Sequence, residues 1–454
     1  MASQDGITIT EPLSLSQKAG YGCGDLSSNL VWGMTLSFLM YYYTDIYLIP
    51  VAVAAWILLV PRVVDAFTDP LFGYLIDRSG GRYVLPLIGR LAIPFGIATL
   101  LCFLPLPFSP TGKIIWASLS YLVLGVIYSA VNVPYGVLSN MIAVDPQERV
   151  SLNAFRMGGC QLGQLAVAGL TLPAIAWLGG GGGVADRQRG ITLLMVILAA
   201  VGSALWLLTW RSCKIRRPLP VNQTSFRELM AALVGNRRWH LVNTLTFMNF
   251  IVFCSQGGLA IHYTRYILGL PTSYASILLA GSTFWALIGA LGVPFLTKRF
   301  GTRRTYIGCN LAQAAMIGTI YLAPDNFPVV MGALSFQYLG VGAVGPLYYA
   351  MLADAVDANR KRTGVAAAGL AFSINGLISK VAAGLAGFII ATFLAWGHYS
   401  AGVQVATPLL KSWILMGFLG LPLAALSVAL VVLFNSRKDH AVAGEALLLS
   451  PAAH

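Results

Sequence analysis

Residues 73–82 read GYLIDRSGGR, and residues 294–303 read PFLTKRFGTR. Each string closes a long apolar segment, and Arg78, Gly80 and Arg82 of the first match Arg299, Gly301 and Arg303 of the second. A further pair lies downstream of each. VPYGVLSNMIAVDPQER, after Asn132, matches GPLYYAMLADAVDANRK, after Val344, with Pro134 on Pro346 and Asp145 on Asp357. One glycine-rich basic turn is a weak signal. Its duplicate at the matching place says that the chain consists of two parallel repeats.

Composition says where those repeats reside. Of 454 residues, 57% are hydrophobic and 10% charged, against about 25% charged in soluble domains, so this is a membrane protein. A span needs about 20 apolar residues. Twelve segments qualify: 18–46, 50–77, 83–106, 113–142, 151–178, 190–212, 240–268, 272–297, 304–323, 327–356, 365–395 and 409–434. The expected organisation is a cytoplasmic tail (1–17), a six-helix bundle (18–212), a cytoplasmic middle loop (213–239), a second six-helix bundle (240–434) and a cytoplasmic tail (435–454). The middle loop contains RELMAAL (227–233), which reads as a short interfacial helix. The Ala-rich end from Arg437 onward reads as disordered.

The net charge of +13 sets topology and implies no nucleic-acid partner. Basic residues crowd alternate loops: Arg78/Arg82, Lys214/Arg216/Arg217, Arg237/Arg238, Lys298/Arg299/Arg303/Arg304, Arg360/Lys361/Arg362 and Arg437/Lys438. The other loops hold few, and this asymmetry puts both termini in the cytoplasm. Six scattered cysteines and five scattered histidines form no disulfide framework and no structural metal site. No cofactor is expected.

PRVVDAFTDP (61–70) interrupts the second span with Arg62, Asp65 and Asp69. Each such charge costs roughly 2.5–3.5 kcal/mol at a helix centre. At about 100° per residue the three share one narrow stripe. Two carboxylates one turn apart repel, so either a cation lies between them or one binds a proton. Both outcomes describe a coupling-ion site, and Pro70 can free carbonyl oxygen for it. The alternative is a structural network in which Arg62 and a lysine neutralise the pair; apolar packing could replace such a network at little cost. Lys380, within AFSINGLISK, is the other deep charge and needs an anionic partner, for which Asp65 and Asp69 are available. Asp25 and Asn29 lie one turn apart on the first span and either line the same cavity or, for Asp25, make a packing contact. The basic turns can latch neighbouring helices through Asp77, Arg78, Arg82, Arg299 and Arg303.

YGCGDLSSNLVWG (21–33), FLMYYYTD (38–45), RVVDAFTDPLFGYLIDRS (62–79), YSAVNVPYGVL (128–138), ERVSLNAFRM (148–157), MLADAVD (351–357) and GLAFSINGLISK (369–380) together resemble the glycoside–pentoside–hexuronide:cation symporter family of the major facilitator superfamily. The resemblance runs through nearly all spans in order. It implies an all-α membrane protein with twelve transmembrane helices in two pseudo-symmetric six-helix bundles. It also implies a sodium, lithium or proton site at Asp65 and Asp69, joined by Ser129 and Thr68. Lys380 and Arg156 match the family's lysine of span 11 and arginine of span 5. The sugar half departs from the melibiose-type members. Asn29 and Asn132 replace aspartates, and Gly136 and Gly345 replace tryptophans. Trp32, Tyr128, Tyr348 and Trp285 are alternative stacking platforms, or packing. Gln161, Gln164, Asn243, Gln256, Gln337 and Asn375 suit hydroxyl recognition, or interhelical hydrogen bonds.

The expected activity is secondary active symport of a glycoside, pentoside or hexuronide with sodium or a proton, by alternating access, in the bacterial inner membrane. Substrate contacts are expected from Asn29, Asn132, Arg156, Lys380, Asn375 and Asp25. The expected partners are one small molecule (a sugar) and the lipid bilayer, with the monomer as functional unit. A second expectation keeps the fold and substitutes an amphiphilic or other small organic solute. An enzyme is not expected: the chain offers no nucleophile–base pair, and GGGGG (179–183) lacks a phosphate-binding lysine.

Overall fold

The computed structural model describes residues 12–181, 183–220, 224–271, 273–365, 367–399 and 405–448. Most of the expected N-terminal tail and the last six residues lie outside them. All the regular structure in the described residues is helical. The elements are α1 (Leu15–Tyr41, followed by a π-helical turn Tyr42–Ile46), α2 (Val51–Arg78), α3 (Val84–Cys102), α4 (Pro110–Ile142), α5 (Pro146–Gly179), α6 (Val184–Ser212), α7 (Phe226–Val234), α8 (Arg237–Tyr266), α9 (Ser273–Phe300), α10 (Thr302–Leu322), α11 (Phe327–Thr363), α12 (Ala368–Trp396), α13 (Pro408–Leu415) and α14 (Leu421–Leu448). A second π-helical turn, Met416–Gly420, joins α13 to α14 into one rod. Nine helices within the described residues are long and apolar enough to cross a membrane. The rods α1, α2 and α10 complete two sets of six around the short α7.

Helix ends follow local chemistry more closely than hydropathy. The α5 helix starts at Pro146, not at the expected 151, because Asp145 accepts hydrogen bonds from the Gln147 and Glu148 backbone N–H groups. The α11 helix runs to Thr363 instead of 356 and stops where Gly364 adopts a left-handed conformation. Apolar patterning marks the lipid boundary, whereas helical hydrogen bonding continues through the polar headgroup layer. The expected interfacial helix is α7, with Ser225 and Glu228 forming a reciprocal cap and Leu229 and Leu233 buried. The last rod extends to Leu448. Much of the expected disordered tail is therefore helical, in keeping with the helix propensity of AVAGEALL (441–448).

Packing reproduces the repeat. Within the first half α1 packs on α5 and α6, α2 on α4, and α3 on α4 and α6. The second half repeats this arrangement: α8 packs on α12 and α14, α9 on α11, and α10 on α11 and α14. The halves join through α5 with α9, α2 with α12, α5 with α11 and α4 with α12. These seams are also exchanged by the pseudo-twofold. At the α2–α12 crossing, Gly73 and Gly369 let two backbones touch. A Cβ on Gly73 would sit 2.6 Å from the Gly369 carbonyl oxygen, and a Cβ on Gly369 would collide with that of Gly73. Small residues at such crossings are how membrane helices approach closely.

That crossing generates a prediction. Gly369→Leu should lower transport at least about tenfold, since overpacking of this kind costs roughly 1–3 kcal/mol. Gly308→Leu is the control, because its position has open space. Equal transport by the two variants in reconstituted vesicles would remove the crossing from the transport cycle.

Candidate coupling and substrate site

The two span carboxylates meet the second half at mid-depth. Asp65 and Asp69 project from one face of α2, each 4% exposed. Lys380 of α12 donates to Asp65 Oδ2 at 3.0 Å and to Asp69 Oδ2 at 2.7 Å. One ammonium thus bridges two acids and two halves. The other oxygen of Asp65 turns toward α4, where Ser129 Oγ lies 3.5 Å away. Beside it is a void of about 10 Å³ lined in part by Trp32, Thr35, Pro61, Gly125 and Tyr128, about the room one water needs. Thr68 Oγ1, next in sequence to Asp69, is buried without a hydrogen-bond partner. A buried hydroxyl left so costs about 1–3 kcal/mol. Pro70 removes the helical donor for the Ala66 carbonyl. Carboxylate, hydroxyl and carbonyl oxygens are the donors a hard cation requires. The Arg62 side chain lies outside the described residues.

A second cluster lies between α1 and α5. Arg156 Nε donates to Asp25 Oδ2 at 2.9 Å, with both side chains 8% exposed. The guanidinium lies 4.9 Å from the ring centre of Tyr135 and 4.2 Å from that of Tyr349, which belongs to the second half. Its Nη1 is buried without a partner. Asn29 donates to the Asp25 carbonyl at 2.9 Å and accepts from Gln164 at 3.4 Å. Asn132 accepts from Ser28 at 2.9 Å and donates to the Tyr128 carbonyl at 3.1 Å. Trp32 and Tyr128 stack at 5.0 Å between centroids.

The remaining expected residues are elsewhere. Asn375 is buried in the α8–α12 seam, donating to Asn243 at 2.8 Å and to Thr246 at 3.0 Å. Gln256 and Gln337 exchange amide hydrogen bonds between α8 and α11. Tyr348 lies tilted against Tyr349, and Trp285 meets Phe284 edge-on. Gly136 faces Phe372, and Gly345 faces Met157. Apolar side chains therefore fill the directions in which melibiose-type members carry tryptophan.

The latch at the basic end differs from expectation in its parts. Asp77 joins the halves by accepting from the backbone N–H groups of Gly369 at 2.7 Å and Leu370 at 2.9 Å, the start of α12. This is anion capture at a helix N-terminus. The basic-turn arginines hold nearby groups instead: Arg78 reaches Tyr74, Arg82 reaches Tyr83, Arg299 stacks on Phe300, and Arg303 donates to the Leu433 carbonyl. The charges that bridge the halves are Arg149 with Asp354 at 2.9 Å and with Asp357 at 2.5 Å, and Arg217 with Asp357 at 3.1 Å. Gln147 adds hydrogen bonds to the Pro294 carbonyl at 2.8 Å and Thr297 at 3.1 Å. Sequence reasoning missed Arg149 and Asp354. Their signal was the duplicated string ending in Arg149 and Lys361, which was used only to align the halves. Arg149→Gln should slow exchange more than Arg82→Gln does, by about tenfold, with apparent affinity changed less than about twofold. Counterflow kinetics on both variants decides; an affinity defect alone would contradict a latch.

Comparison with known proteins agrees with this architecture. The model for the family described as "MFS/sugar transport protein" matches residues 20–436. YagG of Escherichia coli (strain K12), named a candidate glycoside/cation symporter, is 32% identical over 397 residues, 87% of this chain and 85% of the relative. The isoprimeverose transporter of Lactiplantibacillus pentosus is 28% identical over 454 residues, covering 96% and 93% of the two chains. The crystal structure of the fucose:proton symporter FucP of E. coli superposes with a TM-score of 0.70 at 11% identity, over 92% of this chain and 97% of that one. That likeness carries the fold alone. The chain belongs to the MFS/sugar transport family, the glycoside–pentoside–hexuronide:cation symporters of the major facilitator superfamily, and is a multi-pass membrane transporter, not an enzyme.

Proposed function

We propose that this protein takes up a glycoside, pentoside or hexuronide together with sodium or a proton, in the plasma membrane of a bacterium, as a monomer with both termini cytoplasmic. The observation that carries the reading is the Asp65–Lys380–Asp69 bridge across the α2–α12 seam. Without the coupling ion, Lys380 offsets one of the two carboxylate charges and holds the halves together at mid-depth. An arriving cation takes oxygens from Asp65, Asp69, Ser129 and Thr68 and releases the ammonium. The sugar binds between the halves against Asn29, Asn132, Gln164 and the Trp32–Tyr128 stack. Each ligand then raises the other's affinity by the same factor.

The residues at the basic end hold that end shut while the opposite end admits substrate. The two bundles, proposed at 18–212 and 240–434, then rock about the α2–α12 and α5–α9 seams, breaking the Arg149 and Asp77 contacts to open inward. A second reading keeps this cycle with an amphiphilic solute as cargo. Its support is the apolar filling at Gly136 and Gly345.

Two variants and one assay test the proposal. Asp69→Asn should abolish cation-dependent exchange, a loss of at least about a hundredfold, in a protein that still inserts. Lys380→Ala should weaken both ion coupling and sugar affinity, because removing one partner of a buried pair costs roughly 3–5 kcal/mol. The assay is proteoliposome counterflow across neutral glycosides, pentosides and hexuronates with sodium and pH varied separately. Affinity rising with sodium makes the carboxylates a metal-ion site, and dependence on pH alone makes them a proton site. Coupling that survives in Asp69→Asn would refute the ion assignment. Exchange of amphiphiles but no sugar would favour the second reading.

A further inference from the structure

Arg156, buried, and Lys380, half-buried, are basic side chains described at mid-depth, and each is already matched by acid. Lys380 is shared between two carboxylates. Arg156 is held by Asp25 through Nε at 2.9 Å. Resting on the symport reading above, we propose that Asp25 is a specificity-determining residue: its ion pair with Arg156 cancels the positive charge at the sugar site, so that the carrier takes uncharged glycosides and pentosides and rejects hexuronates.

The geometry gives three reasons. A guanidinium recognises a carboxylate best through two parallel N–H donors, and the side of the fork that contains Nε is engaged by Asp25. Two rings lie against the guanidinium, Tyr135 from α4 and Tyr349 from α11. What remains is the edge with Nη1 and Nη2, on which Nη1 is a buried donor without an acceptor. Such a donor suits a neutral oxygen, a hydroxyl or ring oxygen. A carboxylate arriving there would share one guanidinium with the Asp25 carboxylate, and like charges across a buried site repel strongly. Exclusion by a placed like charge is a common way of obtaining specificity. Beside the pair, the Asn29 side-chain oxygen accepts from Gln164 and adds a second tie between α1 and α5. The pair is thus fixed on α1 and α5.

The test uses sugars that differ only in the charge of one carbon: methyl glucoside against methyl glucuronide, and methyl galactoside against methyl galacturonide. Counterflow by the full-length protein in proteoliposomes at neutral pH is read as the ratio of exchange rates within each pair. The wild type should favour the uncharged member at least about tenfold. Asp25→Asn should shift that ratio toward the uronide by about tenfold or more, because Arg156 is then uncompensated. The double variant Asp25→Asn/Arg156→Gln should return it to the uncharged member, which a purely structural role for Asp25 would not do. A wild type that prefers uronides, or a ratio unmoved in an inserted Asp25→Asn protein, would overturn the inference and leave symport standing. If Asp25→Asn does not insert, the wild-type ratio and the double variant decide, and uronide preference in either overturns it. Failure of the wild type to exchange any of the four sugars, with sodium and pH gradients varied, would count against the sugar reading itself and this inference with it.

Discussion

One ammonium between two carboxylates is the interaction on which the rest of this molecule depends. Asp65 and Asp69 could not both remain charged and buried on one face of α2 without a cation, and Lys380 supplies it from the other half. The pair is therefore incomplete in either bundle alone. Each half buries charge that only the other half balances. In the proposed cycle the α2–α12 seam is where ion occupancy and the relative position of the bundles are tied together, which is the physical requirement for coupling.

The same seam carries a close backbone approach and the neutralisation of a helix N-terminus. Gly73 and Gly369 allow α2 and α12 to touch, and one turn beyond Gly73 the Asp77 carboxylate closes over the start of α12. On the pseudo-symmetric α5–α9 and α5–α11 seams, Gln147 and Arg149 do comparable work with side chains. Closure at the basic end is thus divided between contacts that demand small residues and contacts that demand charge. Both kinds are short range, so in the proposed cycle they break together when the bundles rock.

Buried polar groups in this fold divide by whether they are satisfied within one half. The Gln256–Gln337 pair and the Asn375–Asn243–Thr246 cluster hold helices of the second half to one another. Asparagine and glutamine in a membrane span look alike in sequence whether they bind a ligand or a neighbouring helix. The Asp25–Arg156 pair resolves a similar ambiguity. Asp25 joins α1 to α5 by neutralising an arginine whose ring partners come from two different bundles.

The linear chain determined the class, the duplication and the place of the paired carboxylates. Apolar runs of membrane length, basic turns at matching places and two aspartates one helical turn apart are local signals, and local spacing is enough to read them. It also placed Lys380 among the charges in need of a partner, because an ammonium in a span must be balanced by something. Tertiary structure alone decided which groups balance which. Arg149 meets Asp354 and Asp357, more than 200 residues away along the chain, while Arg78, Arg82 and Arg299 of the basic turns hold their immediate neighbours and Arg303 reaches the Leu433 carbonyl within its own half. Pairing energy depends on distance and burial, and neither is encoded in sequence separation. Hydropathy placed the bilayer, and the packing of the two halves assigned the charges within it.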